Sequence, residues 1–293
     1  MMFRPAAHNG GWICLGGGLG FSLLGGWLAG TLPGHPVSGG LFWRGFFSLV
    51  SFGLAIYCFY LALSLFRLAY FLSRNGLQIR WGGLTRRIPL GAITAIAPAG
   101  EEIVSLSKRL LNVELPDWWV GRWQGVEFYN TIPAQQSLVA QTQQETVVIS
   151  PADPQEFLRA WRLRIPLGPT QTWSSEVLRW PFFDLPFWFD PLAWRFAGGA
   201  VLLCLILIGA TMTAYPTWPP SVPISFNALG QTNAVAGREQ VLWFPVAGAG
   251  ILLLNLVLGA VWYQNERLAA YLLWAVASLA QIALWVGIRA VVG

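Results

Sequence analysis

Long apolar runs occupy both ends of this 293-residue chain, and short alternating segments lie between them. A helix needs about 20 consecutive apolar residues to cross the hydrocarbon core of a bilayer. Five windows meet that length: Gly11–Leu32, Phe46–Phe66, Phe196–Tyr215, Val241–Tyr263 and Leu268–Ile288. None contains Asp, Glu, Lys or Arg, and the most polar side chains within them are Asn255, Ser278 and Gln281. Trp43, Tyr70, Trp194, Tyr215, Trp243 and Tyr263 mark several ends, as the aromatic belts at the two membrane interfaces require. Arg4 before the first window has the look of a signal peptide. However, the apolar run continues to Leu32 without a small-residue cleavage site, so a retained anchor is expected.

In the middle section the period changes from continuous to two. Leu77-Gln78-Ile79-Arg80-Trp81 alternates, Gly82-Gly83 is a hairpin turn signal, and Leu84 to Leu90 forms a second strand with Pro89 at its edge. Ile93–Ile96, Gly125–Tyr129, Ser137–Gln141 and Thr146–Ile149 are further strand candidates. Short strands at this spacing predict a small antiparallel barrel or sandwich. Asp153 is a good N-cap, Pro154 suits the first helical position, and Glu156 can complete a capping box. Phe157, Leu158 and Trp161 then give a helix of about 10 residues its apolar stripe. Glu101–Trp123, with Trp118, Trp119 and Trp123, matches no strand pattern.

Composition strengthens the membrane reading: 55% of residues are apolar and 11% charged, against about 25% charged in a soluble domain. The net charge of +5 does not point to nucleic acid, because the basic residues flank apolar windows or scatter over the middle section. Those flanks set the orientation. With a cytoplasmic amino terminus, Arg4, Arg67, Arg74, Arg80, Arg179, Arg195 and Arg267 lie inside, and Arg44, Arg238 and Arg289 outside. Seven against three favours that choice, and five spans then leave the carboxyl terminus outside. An inner (plasma) membrane location follows.

The segment "YFLSRNGLQIRWGGLTRRIPLGAITAI" resembles the opening of bacterial pleckstrin-homology-like (PH-like) domains that follow a two-helix membrane hairpin. "TVVISPADPQEFLRAW" is similar to their closing strand and helix, so the resemblance covers residues 73–165 or so. A second stretch, about residues 216–255, resembles a domain of unknown function in multi-span proteins of the SdpI immunity and signalling type. Pro223, Phe226, Asn227 and Gly230 match that family's loop pattern; Ser225 and Asn233 replace its His and Asp. The implied architecture is an α+β membrane protein: five transmembrane helices with an inserted cytoplasmic PH-like β-barrel or sandwich capped by a C-terminal helix. Its parts are a two-helix hairpin (1–72), the PH-like domain (73–166), an aromatic and proline-rich linker (167–195) and a three-helix domain (196–293) with an external loop at 216–240. Prolines break Trp180–Pro191, which is either an interfacial collar or a linker packed on the middle domain.

No constellation that carries chemistry stands out, so no catalytic, cofactor-binding or metal-binding residue is assigned. Cys14, Cys58 and Cys204 lie singly in apolar windows, and His8 and His35 flank the first one on opposite sides. Glu101 and Glu102 are adjacent, not spaced as an acid–base dyad. Arg80, Arg86 and Arg87 around the first hairpin are candidates for contact with anionic lipid. Phe226, Asn227 and Gly230 are candidates for an external-loop site, with a structural turn as the alternative. The expected function is non-enzymatic: a PH-like domain presented at the inner membrane surface as a scaffold or accessory subunit. Its partners would be the bilayer and another membrane protein or complex, with no nucleic acid. An SdpI-like sensor or immunity-type protein is the alternative. A transporter comes third, because its spans would be expected to carry ionisable groups.

Overall fold

The computed structural model describes residues 1–99, 109–110, 113–114, 120–123, 125–181, 185–226 and 232–292. In chain order these form β1 (Met2–Phe3), α1 (Gly10–Gly30), α2 (Gly39–Phe66), β2 (Ala69–Leu72), β3 (Gly76–Trp81), β4 (Leu84–Pro89) and β5 (Ile93–Pro98). Then come β6 (Arg109–Leu110), β7 (Val113–Glu114), β8 (Val120–Trp123), β9 (Val126–Tyr129), β10 (Leu138–Thr142), β11 (Thr146–Ile149), α3 (Pro154–Arg164) and β12 (Glu176–Arg179). The chain ends with α4 (Pro191–Ala214), β13 (Ser221–Phe226), β14 (Thr232–Gly237), α5 (Trp243–Trp262) and α6 (Arg267–Val292). The residues separate into two compact units, 1–22 with 53–180, and 23–52 with 181–293.

The first unit holds two five-stranded sheets, ordered β1-β2-β3-β4-β12 and β5-β10-β11-β9-β8. They do not join into a closed barrel, so the sandwich form of the expectation is the one realised. β11 pairs parallel to β9, which departs from the expected all-antiparallel arrangement. The β10–β11 hairpin folds back so that β11 lies between β10 and β9. Alternation on β3 sends Leu77 and Ile79 inward, where they meet Tyr70, Leu72 and Ile88, all fully buried. Val147 and Ile149 complete that core from the second sheet, while Val148 turns to a smaller cluster with Val126, Phe128 and Val139. With apolar residues on both faces, β11 reads as a continuous apolar run.

α3 covers the core with Phe157 and Ala160, three residues apart on one face. Asp153 adopts extended backbone and its Oδ1 accepts the Glu156 N–H at 2.8 Å, the N-cap bond the sequence predicts. Asp153→Ala is expected to lower domain stability by about 1 kcal/mol. Chemical denaturation would check it, and no change would mean that another group starts the helix. Gly82 has φ +54 in the two-residue turn between β3 and β4, a conformation an L side chain adopts poorly.

The sheet reaches past the expected span of 73–166. Only two residues separate α2 from β2, β1 pairs with β2 (Phe3 opposite Tyr70), and β12 pairs with β4. Phe3 packs edge-on against Phe157 at 4.9 Å between ring centres.

Among the described residues, five helices are long and apolar enough to cross a membrane by length and composition. Leu23 and Leu49 are 75% and 73% exposed, which suits a lipid surround and not water. Two polar groups within the spans are satisfied locally: Asn255 donates to the Ile251 carbonyl at 2.8 Å and Ser278 to the Trp274 carbonyl at 3.1 Å. In the second unit, Gln281 donates to the Gly248 carbonyl at 2.9 Å, joining α6 to α5. Asp190 caps α4 through the Leu192 N–H at 2.8 Å and also accepts from the Tyr263 and Tyr271 hydroxyls. The Tyr263 bond, then that from Tyr271, holds the Asp190 carboxyl down at about 2.

Candidate functional site

The β3–β4 hairpin places its three arginines differently. Arg80 lies on the outer face, exposed, with its guanidinium 4.6 Å from the Phe71 ring centre. Arg87 lies on the same face, donates to Glu176 at 2.9 Å, and sits 5.7 Å from the Trp173 ring centre. Arg86, one residue before it, alternates inward, in phase with Leu84 and Ile88. Its side chain is 4% exposed. Nε donates to Glu127 at 3.2 Å and Nη2 to Glu145. The hairpin therefore carries Arg80 and Arg87 on its surface and buries Arg86 in an ion cluster.

That cluster draws in Tyr129. Burial, followed by the Glu127 carboxylate, pushes its phenol above the usual tyrosine range. Nearby, Tyr70 donates to the Tyr129 carbonyl and accepts from the Ser150 N–H at 3.2 Å. Complete burial raises the Tyr70 phenol to about 12. Both hydroxyls stay protonated at neutral pH and act as structural donors.

Residues Met1 to His8 form a strap along the domain. The Ala6 N–H donates to the Ser150 carbonyl at 2.8 Å, and the Ala152 N–H to the Arg4 carbonyl at 2.9 Å. The Thr131 hydroxyl donates to the Ala6 carbonyl at 2.9 Å. His8 Nδ1 accepts the Gly10 N–H at 3.1 Å at the start of α1, and burial lowers its imidazole pKa. His8 thus acts as a neutral cap. The strap, the α1 start, the α2–β2 join and the outer face of β3 enclose an open cleft of about 750 Å³. Arg4, Arg67 and Arg80 line it, with Trp12, Phe66 and Phe71 as its aromatic wall. Among the described residues, no Asp or Glu lines it.

The external-loop candidates fall on the β13–β14 hairpin. Phe226 ends β13, whereas Asn227 and Gly230 lie outside the described residues, as do Glu101, Glu102, Trp118 and Trp119. The hairpin base is firm: Val222 is buried with Leu207, Val241 and Ile288, and Arg238 donates to the Trp218 carbonyl at 3.2 Å. Among the described residues, no three His, Cys, Asp or Glu side chains gather where they could hold a metal ion.

A sandwich closed by one helix has the outline of a PH-like domain, and the family comparison supports that reading. Residues 68–165, about a third of the chain, match the model of a family described as a bacterial PH domain. No curated protein and no solved structure matches the chain. The protein is thus a membrane protein by composition that carries a PH-like domain. The matched range begins at Leu68, the first core residue after α2.

Proposed function

We propose that the protein is a non-enzymatic, multi-pass membrane protein that presents its PH-like domain at the inner membrane surface as a scaffold or accessory subunit of a membrane complex. The supporting observation is the join between α2 and β2. Only Arg67 and Leu68 separate helix from strand, and Leu68 is 3% exposed in the domain core. A domain joined in this way cannot swing on a linker. Its outer face keeps a constant aim relative to the end of α2, as a docking platform requires. The orientation taken is a cytoplasmic amino terminus and an external carboxyl terminus. It rests on the arginine flanks and the number of spans.

The test is affinity purification of the full-length protein in mild detergent, with mass spectrometry of what accompanies it. A stoichiometric membrane-protein partner is expected, lost when exposed residues of the PH-like domain are changed. A strictly monomeric protein with no companion would overturn the reading. A topology reporter near Gln141 should face the cytoplasm and one after Gly293 the outside; both on one side would refute the orientation.

One observation favours a second reading, a sensor or immunity-type protein like the SdpI family. The β13–β14 hairpin is anchored on the helix ends through Val222 and Arg238, so it could pass a signal inward. Changing Asn227 and Gly230 should then alter an envelope-stress phenotype at unchanged expression. An unaltered phenotype removes this reading.

A further inference from the structure

We propose that the cleft beneath the amino-terminal strap binds one anionic phospholipid. Arg4, Arg67 and Arg80 hold its phosphate, and the first part of an acyl chain lies along Trp12 and Phe66.

The charges argue first. Among the described residues, the other arginines of this hairpin have carboxylate partners: Arg86 has Glu127 and Glu145, and Arg87 has Glu176. Arg4, Arg67 and Arg80 are exposed, have no carboxylate within ion-pair distance among the described residues, and line one hollow. Three like charges around a shared space repel one another, and an anion placed among them removes that repulsion. Guanidinium groups suit a phosphate because their planar fork donates to two oxygens at once.

Position argues second. The cleft lies where α1 starts and α2 ends, at the limit of two apolar spans. That is the level at which headgroups sit. Trp12 is 65% exposed and Phe66 49%, and their rings meet edge-to-face at 5.4 Å. An aromatic pair at an interface offers an apolar side to a chain and a polar rim to a headgroup. The volume, about 750 Å³, is within the range of small-ligand sites. It exceeds what a bare phosphate would fill.

Arg4, Arg67, Trp12 and Phe66 all lie outside the matched range 68–165. The site therefore belongs to the join between hairpin and domain, not to the PH-like module alone. The inference rests on reading the apolar helices as membrane spans. It does not depend on the partner-binding role.

The experiment uses native mass spectrometry of the delipidated full-length protein in detergent, titrated with phosphatidylglycerol, phosphatidylcholine or glycerol 3-phosphate. Each arginine near an anionic lipid contributes roughly fivefold. The expected preference for phosphatidylglycerol over phosphatidylcholine is therefore at least about tenfold. Arg4→Gln/Arg67→Gln/Arg80→Gln together should abolish it, and Arg159→Gln/Arg162→Gln on α3 should leave it intact. Should the triple variant not fold, Arg80→Gln alone should lower the preference roughly fivefold. Equal binding of the two lipids, or a preference that survives these changes, overturns the proposal. So does displacement of phosphatidylglycerol by an equal concentration of glycerol 3-phosphate, which would mark a site for a soluble anion. Loss of lipid preference with a membrane partner still co-purifying would leave the proposed function standing.

Discussion

Arg86→Met is expected to destabilise the PH-like domain by about 3–5 kcal/mol, the cost of removing one member of a buried ion pair. Methionine replaces the length of the arginine stem, so the packing loss is small. Glu127, with a side chain 7% exposed, and Glu145, at 21%, then lose their ion pair to Arg86. Glu145 has more water around it, so Glu145→Gln should cost less than Glu127→Gln. Replacing Arg86 and both glutamates together by apolar residues of similar volume should cost less than Arg86→Met alone, since the ion cluster is then removed whole and not by one member. Urea unfolding of the full-length protein in detergent would measure all four variants. A loss below about 1 kcal/mol for Arg86→Met would mean the cluster is open to solvent, as for a surface ion pair.

The inward turn of Arg86 shows what the sequence could and could not reveal. The alternation of β4 was legible, and its phase puts Arg86 with Leu84 and Ile88. What the phase lacked was a reason to bury a charge, because Glu127 and Glu145 lie 41 and 59 residues away. Basic residues near a membrane span have a ready explanation in headgroups, and that explanation hid the core role. The Asp153 cap was legible because its whole mechanism is local, three residues from acceptor to donor. So were the five spans, where length and lack of charge suffice. β2 was not, since Leu68 to Leu72 resumes the apolar run of α2 after the single residue Arg67. β1 and β12 are two and four residues long, and their pairing comes from tertiary contact. The cleft is still less local. It needs the strap, the end of α2 and the outer face of β3, segments that only the sheet brings together.

Gly18→Leu is expected to destabilise the helical hairpin by about 1–3 kcal/mol through overpacking against Phe59. The first span carries seven glycines from Gly16 to Gly30, and small residues let helices approach closely, but their partners and register do not follow from the sequence. The structure gives the register: Gly11 faces Phe66, Gly18 faces Phe59, and Gly25 faces Phe52. Each step is seven residues on both helices, running in opposite directions, so one seam of each helix repeatedly meets the other. A Cβ on Gly18 would lie 2.8 Å from the Phe59 ring, and on Gly11 2.6 Å from Phe66. In a bilayer, helices gain little from hiding apolar surface, and close packing of small against large residues drives their association. The effect should therefore depend on the ring. In a Phe59→Ala background, Gly18→Leu should cost at least about 1 kcal/mol less, as residues in direct contact couple. Gly16→Leu, with open space around its position, should cost less than about 0.5 kcal/mol. Detergent-induced unfolding of the full-length protein would read all of these. Equal losses for Gly16→Leu and Gly18→Leu, or no coupling to Phe59, would show that the seven-residue seam does not hold the hairpin together. The same seam carries Phe66 to the edge of the cleft, so its loss should also loosen the aromatic wall formed with Trp12.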